Sequence, residues 1–242
     1  MKIGRLRCPP SLALERVEME ELLDRGAGSA RDVADNLVEM QRINDLLGGT
    51  RALTRHLYPR LEQHAHPLTL LDLGTGGGGL PARVAAWARR HRRLVNILAV
   101  DWSARNLAAA GPRLRSYPEI LPIRADALHL PLPPGAADYV ISTLFLHHFP
   151  PEQVVQLLRR AFQTARRGII MSDLVRGHFP LAAFQLVAPV FARNYLTYHD
   201  GLLSVRRAYT VPELLELARC AGLPDPRVYA HFPWRMTLVV EK

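Results

Sequence analysis

Lysine is all but missing from this 242-residue chain: Lys2 and Lys242 stand near or at its two ends, with none between them. The formal charge of +9 is therefore carried by arginine. A charge of that size can mark a nucleic-acid partner. Here arginine is spread along the whole chain, which reads as compositional bias. The densest run, Arg89-Arg90-His91-Arg92-Arg93, ends a helical pattern, where positive charge complements the helix dipole. A solvated face is expected there, and no nucleic-acid partner. Cysteine is equally scarce. Cys8 and Cys220 are far apart in sequence and make no metal-spacing pattern, and they read as a tail thiol and a buried helix residue. No apolar run reaches the length of a membrane span; the longest, 179–196, is broken by Pro180, Pro189 and Arg193. Residues 1–7 lack a hydrophobic signal core, so a cytoplasmic protein is expected. Internal repeats and low-complexity segments are absent too.

What remains is 48% hydrophobic, which suits one α/β domain with appendages. Its most informative stretch is 70–79, Leu-Leu-Asp-Leu-Gly-Thr-Gly-Gly-Gly-Gly. An apolar strand (68–73) runs into glycines, and a helical pattern from Leu80 to about His91 follows at once. Glycine lets backbone approach a ligand closely, and a helix start offers unpaired N–H groups to it. Leu80-Pro81 stand where a phosphate-binding loop needs Lys and Ser/Thr, which excludes that reading. Gly74-x-Gly76-x-x-Gly79 fits the dinucleotide fingerprint, a pattern that four consecutive glycines also meet by chance. A second strand, 94–100, ends at Asp101, where an acid can accept from ribose hydroxyls. A third, 120–124, closes on Ala125-Asp126-Ala127. The fourth, 137–142, runs into Thr143-Leu144-Phe145-Leu146-His147-His148-Phe149, and the fifth spans 168–174.

Asp72-x-Gly74-x-Gly76-x-Gly78 resembles the first motif of the class I S-adenosylmethionine (SAM)-dependent methyltransferases, and the later motifs follow at the spacing of that family. Ala-Asp-Ala before Leu-x-Leu-Pro is similar to its adenine-binding corner. The strand followed by Leu-His-His is similar to small-molecule members, including the ubiquinone/menaquinone C-methyltransferase group. The resemblance covers residues 66–175 well and the flanks more loosely. It implies a Rossmann-like, mostly parallel α/β sheet with an antiparallel C-terminal hairpin (226–240). It also implies SAM as cofactor and S-adenosylhomocysteine as product. The implied cofactor residues are Asp72, Gly74, Thr75, Gly76, Gly78, Asp101, Trp102, Asp126, Ala127 and Thr143.

Around that core, 11–25 and 29–47 read as helices, the second capped by Ser29. A further helix, capped by Thr50, runs to about His64. Residues 1–65 then form a helical cap and 66–242 the SAM-binding core. The segment 176–210 departs from a minimal Rossmann plan. An apolar helix from Leu181 to about Tyr195 precedes a polar stretch, 198–207, expected as a lid with His199-Asp200-Gly201 as a turn. Helix 212–221 has Thr210 as N-cap and Gly222 just past its end.

Methyl transfer from a sulfonium needs mainly alignment, but a hydroxyl acceptor must also lose a proton, and histidine suits that task. The candidate bases are His199 on the lid, expected to act on closure, and His148 and His147 after strand four. Met40, Asn44, His178, Tyr195, Asp200 and Arg206 are expected to contact the acceptor. Phe179, Phe184, Phe191 and Tyr198 are expected to add apolar lining suited to a small aromatic molecule. Residues 142–145 match neither amino-methylating DNA enzymes nor RNA cytosine enzymes, and no interior lysine serves RNA 2′-O transfer. No metal is expected: Asp173 ends strand five, but strand four ends in Ser142-Thr143. O-methylation of a phenolic or polyketide-like molecule is the leading expectation. C-methylation of a quinone precursor, a non-catalytic SAM-binding module and an RNA methyltransferase are the alternatives. The expected partner is a small-molecule acceptor, and a homodimer is compatible with the sequence.

Overall fold

The computed structural model describes residues 14–242; Cys8 and the start of the segment 11–25 lie outside it. Seven strands form one sheet: β1 (Leu68–Leu73), β2 (Val95–Asp101), β3 (Ile120–Arg124), β4 (Ala137–Thr143), β5 (Ala165–Leu174), β6 (Arg227–His231) and β7 (Arg235–Glu241). Their order is β3-β2-β1-β4-β5-β7-β6. The first five run parallel. β7 is antiparallel to both β5 and β6. The order reverses between β1 and β4, so a crevice opens at their carboxyl ends, where ligands bind in sheets of this kind.

Alternation along the strands builds a core on each face. Leu71 and Leu73 of β1 face α5 (Pro151–Thr164) and α8 (Val211–Cys220). Leu68 and Leu70 face the other side, with α2 (Gly49–Glu62), α3 (Gly79–Arg90) and α4 (Ala104–Leu114). Leu53, Leu57 and Leu61 of α2 recur at helical spacing and are fully buried against the sheet side. α2 is thus a core helix, and the expected boundary at residue 65 cuts through this packing. α1 (Ala30–Leu46), α6 (His178–Phe191) and α7 (Tyr195–Arg207) pack together beyond the sheet.

Several local expectations hold. Ser29 caps α1 in a reciprocal box with Asp32. Thr210 and Glu213 do the same for α8, and Gly222 follows it at φ +72°. Others are overturned by tertiary partners. Residues 14–21 form no helix but an irregular strap, continued by a turn at 22–26. Arg16 Nε donates to the Arg207 carbonyl (2.8 Å), and the Leu22 and Leu23 amides donate to the Asp200 carboxylate (2.8 and 3.0 Å). Those bonds replace the helical ladder. Gly48, in the left-handed region at φ +73°, starts α2, while Thr50 donates to Asp45 Oδ1 (2.6 Å). His199-Asp200-Gly201 is not a turn but the middle of α7, whose buried face includes Leu196, Thr197, Asp200, Leu203 and Ser204. Gly201 is needed there because a Cβ would overlap the Phe184 ring of α6. Residues 195–207 are therefore a packed helix, not the loop expected for 198–207. Cys220 ends α8 exposed, because the helix turns its leucines Leu214 and Leu217 inward instead. No helix among the described residues is long and apolar enough to cross a membrane.

The α8 cap can be tested alone. Thr210→Ala should lower the unfolding free energy in urea by about 1 kcal/mol and leave ligand binding at the crevice unchanged.

Candidate active site

The turn after β1 makes the floor of the crevice. Gly74, Gly76 and Gly78 have φ of +70°, +53° and +71°. At Gly74 the demand is also steric: a Cβ would overlap the Phe145 ring. The Gly76 amide donates to Asp101 Oδ2 (2.8 Å), while Asp101 Oδ1 accepts from the Ser103 amide (2.9 Å) and from Asn106 Nδ2 (3.3 Å). The carboxylate at the tip of β2 is thereby held rigidly. Asp126 accepts from the Leu128 amide (2.9 Å) and pairs with His129 (2.8 Å), which orders the short turn 127–129.

These elements line a cavity of about 430 Å³. Asp72, Gly74, Thr75, Gly76, Asp101, Trp102, Asp126, Ala127 and Thr143 all border it. Gly78 does not; it starts α3, and a Cβ there would press on Leu114 of α4. Asp72 Oδ2, Thr75 Oγ1 and Thr143 Oγ1 are buried without a hydrogen-bond partner. Buried polar atoms are rarely left so, and all three belong to residues that border the cavity, as a polar ligand such as the implied SAM would require. Burial, with the Asp101 charge adding to it, pushes the Asp72 carboxyl up to about 7.

The second half of the cavity lies between the sheet edge and α1, α7 and the strap. Leu144 follows β4 in the left-handed region, at φ +53°, a strained conformation for leucine. It turns the chain so that residues 146–148 present both histidines to the cavity wall. His147 is buried; its Nδ1 donates to Asp173 Oδ1 at the end of β5 (2.7 Å), and its Nε2 lies 3.5 Å from Glu21 Oε1. His148 Nδ1 donates to Asp24 Oδ2 (2.7 Å), and its Nε2 lies 3.9 Å from Glu21 Oε2. Ser204 of α7 donates to Glu21 Oε1 (2.7 Å). Arg207 holds the turn from behind through the His147 and His148 carbonyls (3.2 and 2.6 Å).

Burial works against charge at each of these groups, but the partners outweigh it. Asp173 and then Glu21 raise His147 to about 9. His148, His147 and Ser204 hold Glu21 down to about 2. His147 lowers Asp173 in turn.

Of the residues expected at the acceptor, Met40, Asn44 and Asp200 border the cavity together with both strand-four histidines. Asp200 does so while bound to the strap amides. His178, Tyr195 and Arg206 are exposed and lie outside it. His199 also lies outside: its ring is 45% exposed and its Nδ1 donates to Asp200 (2.9 Å). A base arriving on lid closure is therefore not what α7 provides. Phe179, Phe191 and Tyr198 are exposed, and Phe184 packs on Gly201. Leu23, Leu37, Phe145, Phe149 and Leu174 supply the apolar lining in their stead. Glu21, Asp24 and Ser204 were missed in the sequence. The spacing Glu21-Leu22-Leu23-Asp24 reads as one helix face, and nothing local links it to residues over a hundred positions away.

Residues 70–168 match the family model of the methyltransferase domain. Among curated proteins none matches the chain. Solved structures with the same architecture include human N-acetylserotonin methyltransferase in complex with SAM. It is 17% identical, with a TM-score of 0.64 over 94% of this chain and 63% of that one. A SAM-dependent methyltransferase from Aquifex aeolicus is 13% identical, with a TM-score of 0.58 over 83% of this chain and 96% of that one. A Nostoc punctiforme protein provisionally assigned as an O-methyltransferase is 20% identical, with a TM-score of 0.59 over 85% of this chain. The present chain spans 60% of the Nostoc protein's length. At these identities the likeness is one of fold.

The Asp72 environment makes a directional prediction. Below about pH 7 its carboxyl is neutral in the open cleft, and above it the carboxylate forms. A cationic ligand such as SAM favours the carboxylate. Affinity measured by calorimetry should therefore rise several-fold from pH 6 to pH 8 with release of a proton. Asp72→Asn should flatten that dependence; an unchanged slope in the variant would assign the proton elsewhere.

Proposed function

We propose that this S-adenosylmethionine-dependent methyltransferase, with its methyltransferase domain at residues 70–168, methylates an oxygen of a small, largely apolar acceptor of the phenol type. The cofactor supplies an activated methyl group. The chain's own residues must align the acceptor, exclude water and handle its proton. The observation that carries the reading is the Glu21–His147–His148 wall, which closes a chamber beside the cofactor cleft whose other lining combines apolar side chains with Asn36, Asn44 and Asp200. Buried titratable groups of this kind are costly unless paired, and they cluster where proton chemistry is done. Methylation of an acceptor without an acidic proton would leave the wall without a task.

Leu37, Met40, Phe145 and Phe149 offer flat and flexible apolar surface to an aromatic ring. Leu23 of the strap covers the same chamber, so the acceptor would react away from bulk water. The name of the human neighbour, N-acetylserotonin methyltransferase, supports a small-molecule acceptor.

The test is incubation of SAM with a panel of phenols, read by mass spectrometry with assignment of the methylated atom. His148→Ala should lower turnover about 100-fold or more with little change in SAM affinity, while His199→Ala should stay near wild type. Methylation at ring carbon, or full turnover in His148→Ala, would overturn the oxygen reading.

A further inference from the structure

The wall is arranged in a way that proton transfer alone does not require. Both histidines direct Nδ1 to a carboxylate, Asp173 for His147 and Asp24 for His148, each at 2.7 Å. With Nδ1 bound to a carboxylate, each ring turns its Nε2 to the same carboxylate, Glu21, and the proton that Asp173 and Glu21 favour on His147 would leave as an ion binds. One ring nitrogen of each histidine and a Glu21 oxygen lie within 4.8 Å of one another. The Nε2–oxygen separations of 3.5 and 3.9 Å are too long for hydrogen bonds. Ligands about 2.0–2.1 Å from one ion stand roughly 3–3.5 Å apart, so a small movement of the partly open His148 ring would close the set.

We propose that Glu21, His147 and His148 form a binding site for a divalent first-row transition cation, with its open positions facing the acceptor chamber. Two imidazole nitrogens and one carboxylate oxygen suit zinc, iron, cobalt or nickel, and fit poorly the all-oxygen preference of magnesium and calcium. Ligating histidines characteristically donate the other ring N–H to a carboxylate or carbonyl, which orients the ring and raises its basicity; here both do. Ser204 orients Glu21 in the same way (2.7 Å). Three carboxylates, Glu21, Asp24 and Asp173, meet at the wall; of the guanidiniums beside it, Arg207 lies 3.8 Å from Asp24 and Arg16 is engaged by the His147 and Phe149 carbonyls (3.4 and 2.9 Å). The set is assembled from the strap and the turn after β4, while β5 and α7 orient it. The position of the site deepens the reading above, since an ion there would bind and orient an acceptor oxygen, but the site itself stands on the ligand geometry.

Metal-free full-length protein is titrated with Co²⁺, followed by its visible absorption, and with Zn²⁺ by calorimetry. The expected result is one ion per chain. His148→Ala and Glu21→Gln should weaken binding at least about 100-fold, and Asp24→Asn about 10–100-fold. Circular dichroism and retained SAM binding report that each variant is folded; His148, less buried than His147, is the primary variant for that reason. Absence of one-to-one binding, or variants that bind as wild type does, overturns the site. If an ion binds but its removal leaves methyl transfer unchanged, the site stands and the role of the wall in activating the acceptor falls. If no ion binds and His148→Ala still abolishes turnover, that role stands and the metal site falls.

Discussion

Charge taken out of water has to be partnered, and that constraint draws the N-terminal strap onto the rest of the molecule. Glu21 is 3% exposed and Asp200 is 2% exposed. Glu21 has no charge partner within its own turn of chain, and Asp200 has only the half-exposed His199 beside it. Glu21 finds the strand-four histidines and Ser204, and Asp200 finds the strap amides. A single set of interactions thus closes one side of the cavity, holds residues 14–21 as an irregular strap in place of the helix their sequence suggests, and seats α7 in the wall.

The two halves of the cavity are built on different principles. The cofactor half is made by backbone: a glycine turn, strand tips and the amides of Gly76 and Ser103 that hold Asp101. It retains unpaired polar atoms, which give it affinity for a polar ligand. The half proposed for the acceptor is made by side chains, most of them already paired, with Asn44 Oδ1 a buried exception, so most of its polar groups are oriented before any acceptor arrives. Pre-orientation of that kind lowers the reorganisation a reaction must carry. Phe145 belongs to both halves, lying against Gly74 on one side and lining the acceptor chamber on the other.

Legibility follows the same division. The strand–glycine–helix unit, the acid at the tip of β2 and the turn at 125–127 are contiguous in sequence, so their pattern can be read directly. The α8 capping box is local too. The wall is different: Asp24 and His148 are separated by 124 positions, and Glu21 and Ser204 by 183. The choice among the three histidines could not be made locally, because each stands beside polar neighbours in the chain. His199 has its own Asp200 next to it, but the α7 helix turns that acid to the strap and the ring outward.

The parallel sheet with its antiparallel end was implied by the family resemblance of the motifs, and local sequence alone determined the alternation of strands and helices and the glycine turn at the carboxyl edge of β1. These depend on hydrophobic period and on backbone conformations that glycine permits, both of which act over a few residues. Tertiary structure decided that α2 belongs to the core, that 195–207 is a packed helix, and that Glu21 meets His147 and His148. Those outcomes depend on which buried charge or cavity finds which partner, and such energies are set by distance in space rather than along the chain.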